Sequence, residues 1–459
     1  MKNLIILFMA AIILAVSFSN FTSQPADLVE NKVHPKKKGE FDREKIDSLL
    51  SLLDKKNKWM GSVALLENGK VIYTKTIGFL NREEKLKANK KTKYRIGSIS
   101  KTFTATLVLK AVEEGKLELS LPINKFFPEI KNGKNITVKN LLNHRSGIYN
   151  FTNAKDYSEW STTPKTKKDL IEIISGYESV FKPNSKAEYS NSNYVLLSFI
   201  LEEVYKKNFK EILEEKIVEK INLEYTYFGK PVKSEEDEAF SYSNYGKEWK
   251  KENETDMSIP LGAGSIVSTP SDLTKFYTCL FDEKLISKEY LDIMLTIKDG
   301  YGHGIFSTPY FKNEGFGHTG GIDGFSSMAA YFPNNKMSIA ICSNGNSYDN
   351  NEIALCMLSS YFNDNKFKFP NFETVELKSE ELDKYLGKYS SEALPFKITI
   401  SKKGSTLMAF PDGQQMVALE SKGNHKFNFI QAKAVFEFNP NKKTMTLKQG
   451  GGEFLFKKE

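Results

Sequence analysis

The stretch Tyr94-Arg-Ile-Gly-Ser98-Ile-Ser-Lys101-Thr-Phe103 decides how this chain reads. A serine three residues ahead of a lysine places hydroxyl and amine on one helix face, one turn apart. The serine then sits at a helix N-terminus, where the macrodipole and free backbone N–H groups stabilise a developing negative charge. Such a pair suits an acyl-forming nucleophile with its own base. Behind it, Ile99, Phe103, Leu107, Ala111 and Val112 recur at helical spacing and Gly115 stops the run, which predicts a helix. Ser179-Val-Phe-Lys182 has the same spacing, but Lys182 precedes Pro183 and is pushed out of the α region, so no helical turn aligns that pair. Taken alone, Ser98 and Lys101 also fit a capping serine and a solvated lysine.

Acyl transfer needs a proton acceptor, an oxyanion hole and groups that hold the substrate's amide. Tyr189-Ser-Asn191 lies at the mouth of a second helical run, Tyr194, Leu197, Leu201 and Val204. A tyrosine beside a lysine ammonium has its pKa lowered toward a useful base, and Asn191 offers both donor and acceptor. Tyr242-Ser-Asn244 repeats the letters in a polar, loop-like stretch and is set aside. His318-Thr319-Gly320-Gly321 opens a predicted strand, whose small residues let a substrate backbone pair along the edge and bring an N–H to the acyl oxygen. His318 by itself equally fits a structural histidine. His144, in Leu141-Leu-Asn-His-Arg-Ser-Gly147, reads as structural, at a helix end closed by glycine; Asp323-Gly324-Phe325 reads as a turn. The five histidines have no paired spacing and no H-E-x-x-H, so no metal or other cofactor is expected. There is no G-x-S-x-G elbow around Ser98, which argues against an α/β-hydrolase.

Outward from these motifs the chain divides. Residues 1–19 hold one lysine, then an apolar run from Leu4 to Val16 and small residues to Ser19: a secretory signal peptide, or a membrane anchor if the leader stays on. Residues 20–42 form a basic linker with Lys32, Lys36, Lys37 and Lys38. In the main domain, 43–370, a helical segment around Ile46–Leu53 precedes a hairpin turning at Asn68-Gly69. A mostly helical middle follows, with a further helix from Ser268-Thr-Pro-Ser-Asp272, and strands return at Phe316, Ser327 and Met337. Strands at both ends with helices between predict an α+β domain, one antiparallel sheet covered by helices. In 371–459 apolar residues alternate (Ile398/Ile400, Phe427/Phe429, Phe436/Phe438, Met445/Leu447), predicting a small antiparallel β domain, a barrel or half-barrel with these side chains as its core.

At 459 residues, 40% hydrophobic and 27% charged, the chain has the composition of a globular protein with room for one large and one small domain. Its +8 charge favours anionic surfaces such as cell-wall polymers or lipid headgroups. The charge is spread out and no recognition motif accompanies it, so nucleic acid is not expected as a partner. Cys279, Cys342 and Cys356 have no metal-ligand spacing, and the apolar surroundings of Cys342 and Cys356 read as those of buried thiols.

Ser98-x-x-Lys101, Tyr189-x-Asn191 and His318-Thr-Gly320, in that order, resemble the serine β-lactamase and penicillin-binding superfamily, in particular its class C-related branch of D-alanyl-D-alanine carboxypeptidases, D-aminopeptidases and esterases. Leu141 to Gly147, Gly262-Ala-Gly264 through Asp272, and Gly317 to Phe325 are similar too, and the likeness spans roughly 43–350. The C-terminal strands resemble the small β-barrel appended in this branch. The resemblance implies an α/β sandwich with the site between a helical subdomain and the sheet edge. It implies Ser98 as nucleophile, Lys101 as its proton acceptor and Tyr189 as relay to leaving group and water. Asn191 would hold the substrate's amide, His318 would line the carboxylate end of the pocket, and the N–H groups of Ser98 and Gly321 would form the oxyanion hole. The third motif opens with His318 where class C β-lactamases carry lysine, which weighs against efficient antibiotic hydrolysis. Leu119-Ser-Leu-Pro-Ile123 lacks the acidic residue often found after the nucleophile helix. The expectation is a secreted serine hydrolase acting on a small-molecule or peptide substrate, through amide or peptide bonds of D-amino acids or cell-wall peptides. The alternatives are an esterase or weak β-lactamase, and a penicillin- or cell-wall-binding protein that is acylated without turnover.

Overall fold

A computed structural model describes residues 41–244, 248–413, 416–429 and 432–459. The expected leader and almost all of the basic linker lie outside the described residues. Among those described, no helix is long and apolar enough to cross a membrane.

The hairpin forms where Asn-Gly allows it: Trp59–Glu67 pairs with Lys70–Ile77, and Asn68 and Gly69 take φ of 50° and 74°, the positive values a tight two-residue turn needs. The first of these strands is central. Its other neighbour is Met337–Asn346, with Ala64 opposite Ala340, and the sheet continues antiparallel through Phe325–Phe332 and Phe316–Ile322 to the short Phe306–Ser307. Strands far apart in the chain therefore close one sheet, as the sequence predicts. Tyr242–Asn244, read as a loop, is a short strand instead, meeting Gly345 in parallel.

Alternation along the strands splits the core into two layers. Val63, Leu65, Ile339 and Ile341 face the helices Arg43–Lys55 and Asn350–Phe362. Ala329, Ala340 and Cys342 face the larger helical layer, and their small size lets the Pro270–Phe281 helix lie close. Thr274 and Thr278 of that helix reach Ser338 at 3.0 Å. The helix Ser100–Glu113 is buried nearly all round rather than along one stripe. Its Phe103 stacks on Phe276 with ring centroids 3.7 Å apart.

Beyond Phe372, still part of the sheet core, the chain enters a closed antiparallel barrel of eight strands from Gly387–Ser390 to Gly452–Lys458, the first pairing with the last. Ile398, Ile400, Phe427, Phe436, Phe438, Met445, Leu447 and Phe456 fill its interior. Lys58 with Glu420 and Glu352 with Lys433 join barrel to main domain. Cys279, Cys342 and Cys356 are buried free thiols.

Phe103→Ala should cost about 3–5 kcal/mol through the void left against Phe276. Urea and thermal midpoints of the main domain would show it, and a shift no larger than that of an exposed substitution would contradict this packing.

Candidate active site

The nucleophile turn is built by close backbone approach. Tyr94–Arg95 pairs with Ile266–Ser268, and Ile96 N donates to Ile266 O at 3.0 Å. Gly97 then turns with φ of 50°, and a Cβ there would stand 2.8 Å from both N and O of Gly321. From the other side, a Cβ on Gly320 would run into Ile96 O and lie 2.9 Å from Ser98 N. Ser327 fastens the contact by donating to Ile96 O at 2.7 Å. Glycines at both positions thus bring the backbones of Ser98 and Gly321 together. Ser98 occupies a tight turn, Gly97–Ile99, immediately before the buried helix, rather than the helix itself.

Lys101, one turn on, points back to Ser98, with Nζ 3.0 Å from Oγ. Nζ is also 2.7 Å from Asn191 Oδ1 and 2.7 Å from Ala263 O. The side chain is wholly buried, and desolvation pushes its amine well below the ordinary lysine range. A neutral amine has two N–H bonds and one lone pair. Asn191 and Ala263 take the two protons, so the lone pair is left for the Ser98 hydroxyl.

Tyr189 comes from just before the helix Asn191–Tyr205 and donates its phenol to Ser98 Oγ at 2.8 Å. The expectation that a neighbouring ammonium lowers this phenol is overturned: burial raises it. The cause is the enclosure of the phenol itself, which outweighs the lowering by its hydrogen bond to Ser98. Tyr189 rests on His144, ring centroids 4.5 Å apart, and His144 Nδ1 accepts from Ser190 N at 3.2 Å. His144 is structural as expected, but it, not Gly147, takes the left-handed turn after Val138–Leu142, while Gly147 makes room for the Phe181 carbonyl.

Asn191 is fixed at three points. Its N donates to Asn150 Oδ1 at 2.9 Å, its Nδ2 to Thr152 Oγ1 at 3.0 Å, and its Oδ1 receives Lys101. Sequence reading missed Asn150 and Thr152, whose only signal was their place in a polar loop.

His318 is the third residue of Phe316–Ile322 rather than its first, and is buried. Burial pushes its imidazole down to about 3. Thr319, Gly320 and Gly321 pair on one side with Met328, Ser327 and Ser326. On the other side Phe306–Ser307 reaches only Gly317 and Phe316. The edge from His318 to Ile322 therefore has no strand partner among the described residues and lies beside Ser98.

A further group was read only as a turn. Asp323, φ 53°, accepts from Arg95 Nη1 at 3.0 Å and from Thr255 N and Oγ1 at 3.0 and 2.7 Å. Arg95 also bonds Glu254 at 2.8 Å, and the Arg95 and Asp323 side chains are 2% and 4% exposed. This pair ties the strand entering Ser98 to the end of the strand carrying His318–Gly321.

Residues 54–355 match the sequence profile described as Beta-lactamase. The chain belongs to this family. It is 28% identical over 305 residues to the teichoic acid D-alanine hydrolase of Staphylococcus aureus, a match covering 64% of this chain and 72% of the relative. A D-stereospecific amidohydrolase from a Streptomyces species superposes with a TM-score of 0.60 at 26% identity, covering 70% of this chain and 98% of its own. An octameric penicillin-binding protein homologue from Pyrococcus abyssi superposes at 0.63 and 27% identity over 91% of this chain and all of its own. The protein is thus a serine hydrolase of the β-lactamase-related type, with a β-lactamase-like fold followed by a small β-barrel.

Removing Asp323 leaves Arg95 with Glu254 but takes the acceptor from Thr255 N and Oγ1. Asp323→Ala should cost about 1–3 kcal/mol and lower turnover by displacing the Gly97–Ser98 turn; an unchanged thermal midpoint with full activity would refute the anchoring role.

Proposed function

We propose that the protein hydrolyses amide or peptide bonds of D-amino-acyl substrates through an acyl-enzyme on Ser98. The observation that carries this is the meeting at one oxygen: Ser98 Oγ lies 3.0 Å from the Lys101 amine and 2.8 Å from the Tyr189 phenol. Lys101, whose burial favours the neutral amine, takes the serine proton as Oγ attacks the acyl carbon. The oxyanion forms against the N–H groups of Ser98 and Gly321. The phenol of Tyr189 passes a proton to the departing nitrogen and is reprotonated from Lys101, which leaves the amine neutral again. Water then attacks the acyl-enzyme by the same groups in reverse. An extended substrate lies along the open edge of His318–Ile322, with Thr319 and Gly320 offering backbone groups and Asn191 keeping Lys101 aimed.

Support for a D-amino-acyl substrate comes from the relatives' names, a D-stereospecific amidohydrolase and a teichoic acid D-alanine hydrolase. The leader sequence and the excess of lysine support export to a site facing cell-wall polymers or a membrane surface.

A panel of D-alanine p-nitroanilide, a D-alanyl-D-alanine peptide, p-nitrophenyl acetate and nitrocefin tests the substrate class. Turnover of an amide or peptide substrate is expected, and activity on the ester alone would sink the amide reading. Ser98→Ala should lose covalent labelling by a fluorophosphonate probe together with turnover, on the order of a million-fold; undiminished labelling would refute the assignment.

The pH profile follows from the two shifts. Lys101 works as the neutral amine, so kcat/KM should rise with pH through a single limb set by its lowered pKa and lying below the usual lysine range. Tyr189 is shifted upward, so its proton stays in place and no alkaline loss is expected up to about pH 10. A falling limb between about pH 7 and 9 would show that a group of this cluster must keep a proton it loses in that range, and would contradict a neutral amine working beside a phenol that holds its proton.

A further inference from the structure

The phenol of Tyr189 has to stay on Ser98 Oγ, yet no regular structure holds the backbone that carries it. Residues 177–190 are neither helix nor strand, and the helix that follows begins at Asn191. The phenol oxygen lies at the far end of a long side chain. A small drift of this backbone would therefore take it out of hydrogen-bond reach of Oγ.

What holds the stretch is a residue from a distant loop. His144 takes both chain neighbours of Tyr189: its backbone oxygen accepts from Glu188 N at 2.9 Å, and its Nδ1 accepts from Ser190 N at 3.2 Å. Between those two bonds its ring lies against the phenol ring, centroids 4.5 Å apart. A backbone N–H only donates, so Nδ1 is the unprotonated ring nitrogen. His144 is itself enclosed and well anchored. The Val138–Leu142 helix precedes it, and the rings of Tyr194 and Tyr301 both stand 5.3 Å from its own. Arg145 extends the attachment along the same stretch, its O accepting from Asn184 N at 2.8 Å and its Nη2 donating to Asn184 O at 2.9 Å.

The backbone at this position does not ask for histidine. Its φ of 58° is a left-handed turn that glycine or asparagine makes at least cost. Glycine would offer no acceptor and asparagine no ring. Lys101, by contrast, is set without His144, through its own buried helix, Asn191 and Ala263. We propose that His144 is a positioning residue of the proton relay: it keeps the Tyr189 phenol on Ser98 Oγ and so governs protonation of the departing nitrogen, while activation of Ser98 by Lys101 does not depend on it. This rests on the acyl-enzyme reading and on the part given there to Tyr189.

The test separates the two halves of the mechanism. D-alanine p-nitroanilide and D-alanine p-methoxyanilide share the acyl group and the ring. The methoxyaniline nitrogen is the more basic and needs a proton to depart, whereas the fluoride of a fluorophosphonate probe leaves without one. In His144→Asn, which keeps the left-handed turn, kcat/KM on the methoxyanilide should fall by about a hundredfold. The fall on the nitroanilide should be at least about tenfold smaller, and the rate of fluorophosphonate labelling should stay within about threefold of that of the unmodified enzyme. His144→Gln, which restores a longer acceptor, should show the same bias in smaller measure, and it serves if the asparagine variant does not fold. Tyr189→Phe should share the bias, and adding the His144 change to it should cost less than about twofold more, since no phenol is left to place. No loss, an equal fall on both anilides with labelling lost in step, or a full further loss on top of Tyr189→Phe overturns the positioning role and leaves the acyl-enzyme intact. An unmodified enzyme that takes the label but cleaves neither anilide overturns the amide reading and the relay with it. A Ser98 that takes no label overturns the acyl-enzyme itself.

Discussion

The structure depends on the burial of one amine. Lys101 is enclosed because the helix that carries it is enclosed, with Ser100, Thr102 and Thr104 buried alongside. Polar residues in a core helix are tolerated only when paired. Here Thr104 donates to Ser100 O and Gly262 O, Thr102 to Gly304 O, and Thr106 to Thr102 O. Gly262 and Gly304 exist for this packing: a Cβ on the first would lie 2.6 Å from Thr104 Oγ1, and one on the second 2.5 Å from Ala105 Cβ. The backbone can therefore crowd the helix closely enough to strip Lys101 of water and still leave its three hydrogen-bonding directions matched.

Desolvation then sets the charge state of its neighbours. Burial favours the uncharged form of both Lys101 and Tyr189, so one packing layer sets the proton inventory around Ser98. The cost is loss of stability from burying an amine in its uncharged form. It is offset across a core in which nearly every residue of the Ser100–Glu113 helix is packed.

Local patterns were legible in the sequence; consequences of distant contacts were not. The Asn68-Gly69 turn, the run after Ser98 and the alternation in the barrel are written in neighbouring residues, and each appears where its spacing puts it. The motifs around Ser98, Tyr189 and His318 were legible by their letters and order, and the fold brings them into one cluster. The direction of the Tyr189 shift was misread because it depends on how completely the phenol itself is enclosed, which residues distant in the chain decide. Arg95 and Asp323 were passed over because they are 228 residues apart and each has an ordinary local role, in a strand and in a turn. The short strands Tyr94–Arg95 and Tyr242–Asn244 are too brief to show a period.

The open edge beside Ser98 shows how these layers act together. An unpaired strand edge invites association with other chains, and folds usually blunt it. Here the edge is confined. Pairing with Phe306–Ser307 closes it before His318, and the Asp323-Gly324 turn, held down by Arg95, ends it after Ile322. What stays open is a five-residue segment containing two glycines, too short to nucleate a sheet with another molecule and long enough to receive an extended substrate. Those glycines also let the strand approach Ile96 and Gly97, so a side chain at Gly320 would separate the edge from Ser98. The same absence of a Cβ that brings Ser98 and Gly321 together thus keeps the edge accessible, and neither feature could be kept if the other were given up.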